Sequence, residues 1–254
     1  MKYFFIFVAL IFIYLIYENK FYKIEKVKIK SDKIKDKIKF VQITDYHLNS
    51  LINLEKLKRD IEKINPDFVF ITGDVINRTS TAKEIDKLKK FLKIFNCEVY
   101  FITGNHEFEN KYFSSFKKVL DEDGIKTFNG NYFEPQIDAR IYGFNYKNNF
   151  NFLELDDSKF NILLIHDPLN YIYGIFPRFD LTLSGHIHGG QVRLPGVGAI
   201  IDHDGEIFPK YSKGYYEEDG LNLYISSGLG SKFLIRTFNP VEIVEFEICG
   251  KINE

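Results

Sequence analysis

Phe40-Val41-Gln42-Ile43-Thr44-Asp45-Tyr46-His47 is an apolar run of strand length that stops on a carboxylate and an imidazole. Four more stretches repeat the design. Phe68–Thr72 leads into Gly73-Asp74, and Val99–Thr103 into Gly104-Asn105-His106-Glu107. Ile162–Ile165 leads into His166-Asp167-Pro168, and Leu181–Ser184 into Gly185-His186-Ile187-His188-Gly189-Gly190. Strands that share a sheet deliver their ends to one edge, where α/β proteins build their sites. Five strand ends carrying Asp, Asn and His are poorly explained by core packing, so they read as a two-metal hydrolytic centre.

Working outward, Leu54, Leu57, Ile61 and Ile64 have helical spacing, ended by Asn65-Pro66. Ile85, Leu88, Phe91, Leu92 and Phe95 repeat it, and Phe113, Phe116, Val119 and Leu120 predict a third helix closing near Gly124. The first half is therefore βαβαβα. The second half predicts strands at Ile141–Phe144, Phe160–Ile165, Leu181–Ser184, Leu223–Ser226 and Val241–Ile248. Phe21–Lys30 alternates as a half-exposed strand, and Ser31–Lys37 is a polar turn. The expected fold is α/β (α+β), a four-layer sandwich of two mixed β-sheets flanked by helices, with an N-terminal transmembrane helix.

That helix is Tyr3–Tyr17, fifteen consecutive apolar or aromatic residues spanning ~22 Å, with Lys2 and Lys20 placed to snorkel. No A-x-A-like cleavage site follows it, so an uncleaved anchor is favoured over a signal peptide. The expected domains are an anchor at 1–20 and a catalytic body at 21–254, in a single-pass membrane protein that meets the bilayer through residues 3–17. The lysines after the span favour a cytoplasmic body, whereas the leading Met-Lys suits an exported one; both orientations stay open.

The net charge of −1 hides an asymmetry: residues 18–40 carry nine lysines against four acids, which leaves residues 41–254 near −7. An acidic body argues against nucleic-acid binding, and no protein partner is expected. Cys97 and Cys249 are far apart and in no CxxC pattern, so no disulfide framework is expected, and Cys97 reads as a buried thiol.

The donor types point to chemistry. Asp45 and His47, two apart after a strand, are expected to point to one side and to suit Mn, Fe or Zn. The two carboxylate oxygens of Asp74 can bridge two cations. Asn105 offers a neutral oxygen, and His106 is placed to face a phosphoryl group. His166 ends a very apolar strand. The glycines around His186 and His188 let the backbone aim each imidazole at a different ion. His106-Glu107 is followed by Asn110, so the H-E-x-x-H protease pattern fails. Neither Gly196–Gly198 nor Gly228–Gly230 forms a Walker A loop, and both read as turns. His203 reads as a surface turn residue and the aromatics of Tyr171–Phe179 as core. Arg78 and Arg193 are candidates for a phosphate contact, two of only six arginines.

The ordered set D-x-H, G-D, G-N-H-E, H and G-H-x-H, over about residues 38–248, resembles the calcineurin-like metallophosphoesterase superfamily. The stretch GHIHGGQVRLPGVG, with Pro209-Lys210-Tyr211 and Ser226–Gly230, is similar to a membrane-anchored bacterial subfamily related to UDP-2,3-diacylglucosamine pyrophosphatases. The resemblance implies one metal held by Asp45, His47, Asp74 and His188. It implies a second held by Asp74, Asn105, His166 and His186, with Asp74 bridging. His106 would be the acid or electrostatic helper. Protein Ser/Thr phosphatases of the superfamily carry an aspartate three residues after the bridging one to back that histidine; here the position is Asn77, which argues against protein phosphatase activity. The expected function is a dinuclear phosphoester hydrolase using two divalent ions, Mn first and Fe or Zn as alternatives. A metal-bridging hydroxide would attack a phosphodiester or pyrophosphate, including a lipid-linked one such as UDP-2,3-diacylglucosamine. The alternatives are a non-catalytic metal-binding membrane scaffold and a phosphodiesterase acting on soluble nucleotides.

Overall fold

The computed structural model describes residues 1–128, 132–135, 137–147, 154–202, 205–218, 220–232 and 235–251; the turn histidine His203 lies outside them. In chain order the elements are α1 (Lys2–Lys20), β1 (Lys23–Lys30), β2 (Ile38–Ile43), α2 (Leu54–Ile64), β3 (Phe68–Ile71), α3 (Ala82–Leu92) and β4 (Glu98–Phe101). Then come α4 (Asn105–Glu109), α5 (Phe113–Glu122), β5 (Lys126–Thr127), β6 (Tyr132–Phe133), β7 (Ala139–Phe144), β8 (Phe160–Ile165) and α6 (Pro168–Tyr173). The chain closes with β9 (Leu181–Ser184), β10 (Val192–Leu194), β11 (Gly198–Ile201), β12 (Gly214–Glu218), β13 (Leu221–Ile225) and β14 (Glu242–Cys249).

Two mixed six-stranded sheets face each other. One has the order β1-β14-β2-β3-β4-β5, and the other β12-β13-β9-β8-β7-β6. In the first, β2, β3, β4 and β5 run parallel, with β14 antiparallel to β2. In the second, β7, β8, β9 and β13 are parallel, with antiparallel edges. Strands buried on both faces read as unbroken apolar runs, and every residue of β3 and β8 is buried. Phe40, Phe68, Phe70, Tyr100, Tyr224 and Phe246 fill the space between the sheets, with Phe40 stacked on Phe246 at 4.9 Å. The opposite face of the first sheet, including Val41, Ile43 and Val69, packs on Leu57, Ile61, Leu88, Phe91 and Phe116 of α2, α3 and α5. The outer face of the second sheet is covered by α6 and by Phe179, Ile187 and neighbouring loops rather than by a full helical layer. The fourth layer is thin because the long segments after β9 form strands and turns.

The helix boundaries follow local chemistry. Asn53 caps α2 by accepting from the Lys56 N–H, and Asn65 ends it in the left-handed conformation before Pro66. Thr81 and Glu84 form a reciprocal capping box on α3.

Helix α1 is exposed through Ile13, but its last turns join the body: Glu18 and Asn19 are buried. Tyr14 Oη accepts from the Phe238 N–H at 2.7 Å, Glu18 Oε2 from the Asn239 N–H at 2.6 Å, and the Glu18 carbonyl from the Val241 N–H at 3.0 Å. Cys97 and Cys249 are unbridged and partly buried, and burial pushes the Cys97 thiol up to about 11.

Candidate metal centre

The carboxyl ends of β2, β3 and β4 meet those of β8 and β9 along one edge. Beneath it Gln42 ties the sheets together, its amide donating to Thr72 Oγ1 at 3.1 Å and to the Ser184 carbonyl at 2.9 Å. Above it the donor atoms fall into two sets, Asp45, His47 and His188, and Asp74, His166 and His186; within each set they lie within 4.8 Å of one another. Asp74 lies between the sets. Its Oδ2 is 3.2 Å from His166 Nε2 and 3.9 Å from His47 Nε2. Asp45 Oδ1 is 3.9 Å from both His47 Nε2 and His188 Nε2.

The backbone is bent to achieve this. Asp45, His47, Asp74, His186 and His188 all have φ between 49° and 70°, each at a cost of ~1–3 kcal/mol. Asp45 and His47 thus face one site through left-handed turns beyond the end of β2, not through the strand pleat that their spacing suggested. Hydrogen bonds hold the turns: Asp45 N–H to the Gly73 carbonyl and His47 N–H to the Asp74 carbonyl, both 3.0 Å. Gly185 permits close approach rather than an unusual φ, since a Cβ there would lie 2.1 Å from Thr44 Oγ1 and 2.3 Å from Asp45 Oδ2.

Partners on the far side of each ring set the tautomers. His47 Nδ1 is 3.0 Å from Asn77 Oδ1 and so carries the proton, leaving Nε2 as a buried acceptor with no protein partner. His166 Nδ1 donates to the Thr72 carbonyl at 2.8 Å, directing Nε2 at Asp74 and at His186 Nδ1, each 3.2 Å away. Asn105 Oδ1 is likewise buried without a hydrogen-bond partner. Buried polar atoms are normally satisfied, so these orphaned acceptors, among imidazoles and carboxylates, fit divalent cations.

The electrostatics agree. Burial pushes Asp45 up to about 6 and His47 down to about 4, so His47 is neutral and ready to ligate. Burial works against charge on His166 too, but Asp74 and Asp45 outweigh it and raise the imidazole to about 10. Burial also opposes the Asp74 carboxylate, yet His166 and His47 hold it well below the usual range. The pocket demands positive charge beside its two aspartates.

His106 stands beside the first set, edge-on to His47 with ring centroids 4.8 Å apart. Its Nδ1 accepts the Arg78 N–H at 3.0 Å. Asn77 therefore backs His47, while a backbone N–H orients His106. Burial lowers the His106 pKa, partly offset by Asp74, which favours the neutral ring; because Nδ1 accepts the Arg78 N–H, that ring is the Nε2–H tautomer, a hydrogen-bond donor.

Of the two candidate phosphate-binding arginines, Arg78 is exposed and paired with Glu109. The Arg193 guanidinium is engaged by the Gly189 carbonyl at 2.8 Å and Ser212 Oγ at 3.1 Å, bracing the turn after His188. Tyr171 and Phe179 are core, as expected, whereas Tyr173 is exposed.

Among the buried ionisable side chains near the donor sets, Glu107 and Arg236 were given no role by the sequence reading. Glu107 accepts N–H bonds from Asp74 and Gly104 at 2.8 Å and from Ile76 at 3.1 Å, clamping two donor loops together. Burial, reinforced by the Asp74 charge, pushes its carboxyl up to about 8. Its position three residues after Gly104, at the start of a helix, is the available signal, a half capping box. Arg236 is fully buried. Its Nη2 donates to the Ser227 and Gly230 carbonyls at 2.7 Å each and sits 3.5 Å from His188 Nδ1. Only its membership in a small set of arginines marks it in sequence.

Residues 38–190 match the sequence profile of the family described as calcineurin-like phosphoesterase. The chain belongs to that family. As a metallophosphoesterase with two candidate clusters it is a phosphoester hydrolase dependent on divalent metals. Similar proteins include the uncharacterized metallophosphoesterase YkuE of Bacillus subtilis, 28% identical over 84% of this chain and 79% of that one. The uncharacterized metallophosphoesterase Cj0846 of Campylobacter jejuni is 29% identical over 90% of this chain and 64% of its own, so this chain spans a little under two thirds of that relative. The UDP-2,3-diacylglucosamine pyrophosphatase LpxG of Chlamydia muridarum is 23% identical over 81% of this chain and 82% of its own. A solved structure of the Pseudomonas putida nuclease MPE superposes with a TM-score of 0.35 at 19% identity over 62% of this chain and 64% of that one, too loose a match to bear on function.

Proposed function

We propose that this metallophosphoesterase hydrolyses a phosphodiester or pyrophosphate bond, with a lipid-linked pyrophosphate as the favoured substrate and α1 as its membrane anchor. The observation that carries the hydrolytic reading is the placement of Asp74 between two donor sets that converge from four strand ends. Asp45, His47, Asp74 and His188 would hold one ion, and Asp74, Asn105, His166 and His186 the other. Bound divalent ions supply Lewis acidity and a nucleophilic water at neutral pH, with Mn the first choice for a mixed O/N donor set.

The chain's own residues do the rest. Asn77 and the Thr72 carbonyl fix the ring orientations of His47 and His166. Glu107 holds the Asp74 and Asn105 loops at a set spacing. His106 offers Nε2–H to a phosphoryl or leaving-group oxygen, a donor that needs no net charge. The lipid-linked reading draws on the likeness to LpxG and on α1, which is long and apolar enough to cross a membrane and joins the body at the metal-bearing edge.

The test is hydrolysis of bis-p-nitrophenyl phosphate, phosphomonoesters and a lipid-linked UDP-sugar pyrophosphate by purified protein. Chelation is expected to abolish turnover and Mn to restore it. Asp74→Asn and His188→Ala are expected to lose it; full metal-dependent turnover in either would exclude the assignment. His106→Ala should lower kcat while metal content stays unchanged.

A further inference from the structure

Exposed apolar side chains gather where α1 leaves the body. Leu194 and Val197, at the turn of the β10–β11 hairpin, are 46% and 62% exposed. Ile207 and Phe208 are 68% and 62% exposed, and Ile235 and Phe238 are 55% and 54%. These three segments form one surface. The Phe208 N–H donates to the Ile200 carbonyl at 2.9 Å, and the Arg193 N–H to the Thr237 carbonyl at 2.9 Å. Phe238 packs on Tyr14 of α1 with ring centroids 6.0 Å apart. The hairpin turn and the end of α1, at Tyr17 and Phe21, share an open groove of about 790 Å3. A contiguous exposed apolar surface on a folded domain marks an interaction site.

The length of α1 says what covers it. The helix does not hang from a loose linker, because the Tyr14, Glu18 and Asn19 contacts fix its direction relative to the body. Residues 3–13, which stand clear of the body, reach only ~16 Å, about half of a ~30 Å hydrocarbon core. A bilayer that receives α1 to its full depth must therefore rise to the level of Phe238 and the hairpin.

We propose that the β10–β11 hairpin, the Ile207-Phe208 segment and the Ile235–Phe238 segment form a collar that sinks into the interfacial layer of a phospholipid bilayer. The inference rests on the reading of α1 as an anchor and deepens it. The hairpin begins directly after the Gly189-Gly190 turn that carries His188, so the collar holds the metal centre at headgroup level, where the phosphorus of a membrane-bound substrate lies. The hairpin closes its own turn through the Val197 N–H to Leu194 carbonyl bond at 3.1 Å, so its tip enters the interface without that donor unpaired.

The chain has no tryptophan, so single substitutions make clean reporters. The full chain is placed in phosphatidylcholine/phosphatidylglycerol vesicles with and without brominated acyl chains. Four variants are compared: Phe7→Trp in α1, Val197→Trp and Phe208→Trp in the collar, and Asn96→Trp, exposed at the opposite strand edge. Retained bis-p-nitrophenyl phosphate hydrolysis verifies folding. The Phe7, Val197 and Phe208 reporters should shift to the blue and lose roughly half their emission to brominated lipid, with no change for Asn96→Trp. Quenching at Phe7→Trp without quenching at Val197→Trp and Phe208→Trp overturns the collar and leaves the anchor standing. Quenching of the collar reporters with none at Phe7→Trp removes the anchor and, with it, overturns the collar as a device that α1 positions. A blue shift without quenching in the collar reporters assigns the surface to another protein chain and overturns the proposal.

Discussion

Arg236 offers a direct test of how the metal-bearing edge is held. Its guanidinium is fully buried; burial lowers its pKa to about 10, so it stays charged at neutral pH. Nη2 serves the Ser227 and Gly230 carbonyls and Nη1 the Asn239 carbonyl at 3.4 Å. Its charge also faces Asp45, Glu242 and Glu18. Arg236→Met removes every one of these bonds, leaves three buried carbonyls short of a donor and takes away a charge that faces Asp45 and Glu18, while Glu242 keeps its Lys213 pair, a loss of ~3–5 kcal/mol. Arg236→Lys keeps the charge, and one ammonium can serve both carbonyls bonded by Nη2, so it gives up chiefly the Nη1 bond and some packing, ~1–2 kcal/mol. In a domain of this size ~1 kcal/mol moves Tm by ~2–4 °C, so the Met variant should melt ~6–20 °C lower and the Lys variant ~2–8 °C lower. The measurement is urea and thermal unfolding of the full chain in non-ionic detergent with chelator, so that metal binding does not enter. An Arg236→Met midpoint within ~0.5 kcal/mol of the parent would refute the reasoning.

Three further outcomes are expected. Asn77→Ala frees the His47 ring and should weaken divalent-metal affinity at one of the two sites by ~10–100-fold in titration calorimetry, whereas Asn77→Asp, which keeps the acceptor, should retain it. His166, raised to about 10 before a metal binds, must release its proton to ligate, so metal affinity should climb as pH rises from 6.5 to 8.5. Calorimetry in buffers of different ionisation heat should show that proton leaving, and a flat or falling affinity would contradict the assignment. Burial opposes the charged form of Asp60, but bonds from Lys56 and Tyr22 outweigh it and lower its pKa, so its contribution is present above the ordinary carboxylate value and lost as pH falls through the folded one. Asp60→Asn should therefore cost less than ~1 kcal/mol at pH 7 and nothing near pH 2, by urea unfolding at the two pH values.

Much of the fold was legible because its strands are buried on both faces, where the sequence becomes an uninterrupted apolar run that needs no partner to be recognised; β8 and β9 were read to the residue. The short strands β5, β6, β10, β11 and β12 escaped. They are set by hydrogen-bond partners distant in sequence, and a stretch such as Val192–Leu194 carries no periodicity of its own. The seven candidate donors could be named because each follows such a run, and six of them fall in the two sets. Their grouping into two sets, and the left-handed backbone that aims Asp45 and His47, depend on carbonyls supplied by the Gly73-Asp74 loop some thirty residues away.

By itself the sequence determined the apolar strands, the amphipathic helices, the fifteen-residue apolar head and which side chains are candidates to bind metal, because each is a local matter of side-chain chemistry and spacing. Only the tertiary structure decided that Asn77 backs His47 and not His106, that Arg193 braces a turn, that Glu107 and Arg236 are interior ionisable groups, and that α1 joins the body at the metal-bearing edge. Those outcomes turn on which groups become neighbours once water is excluded, and a buried charge accepts only the partners that the packed chain brings within hydrogen-bond reach.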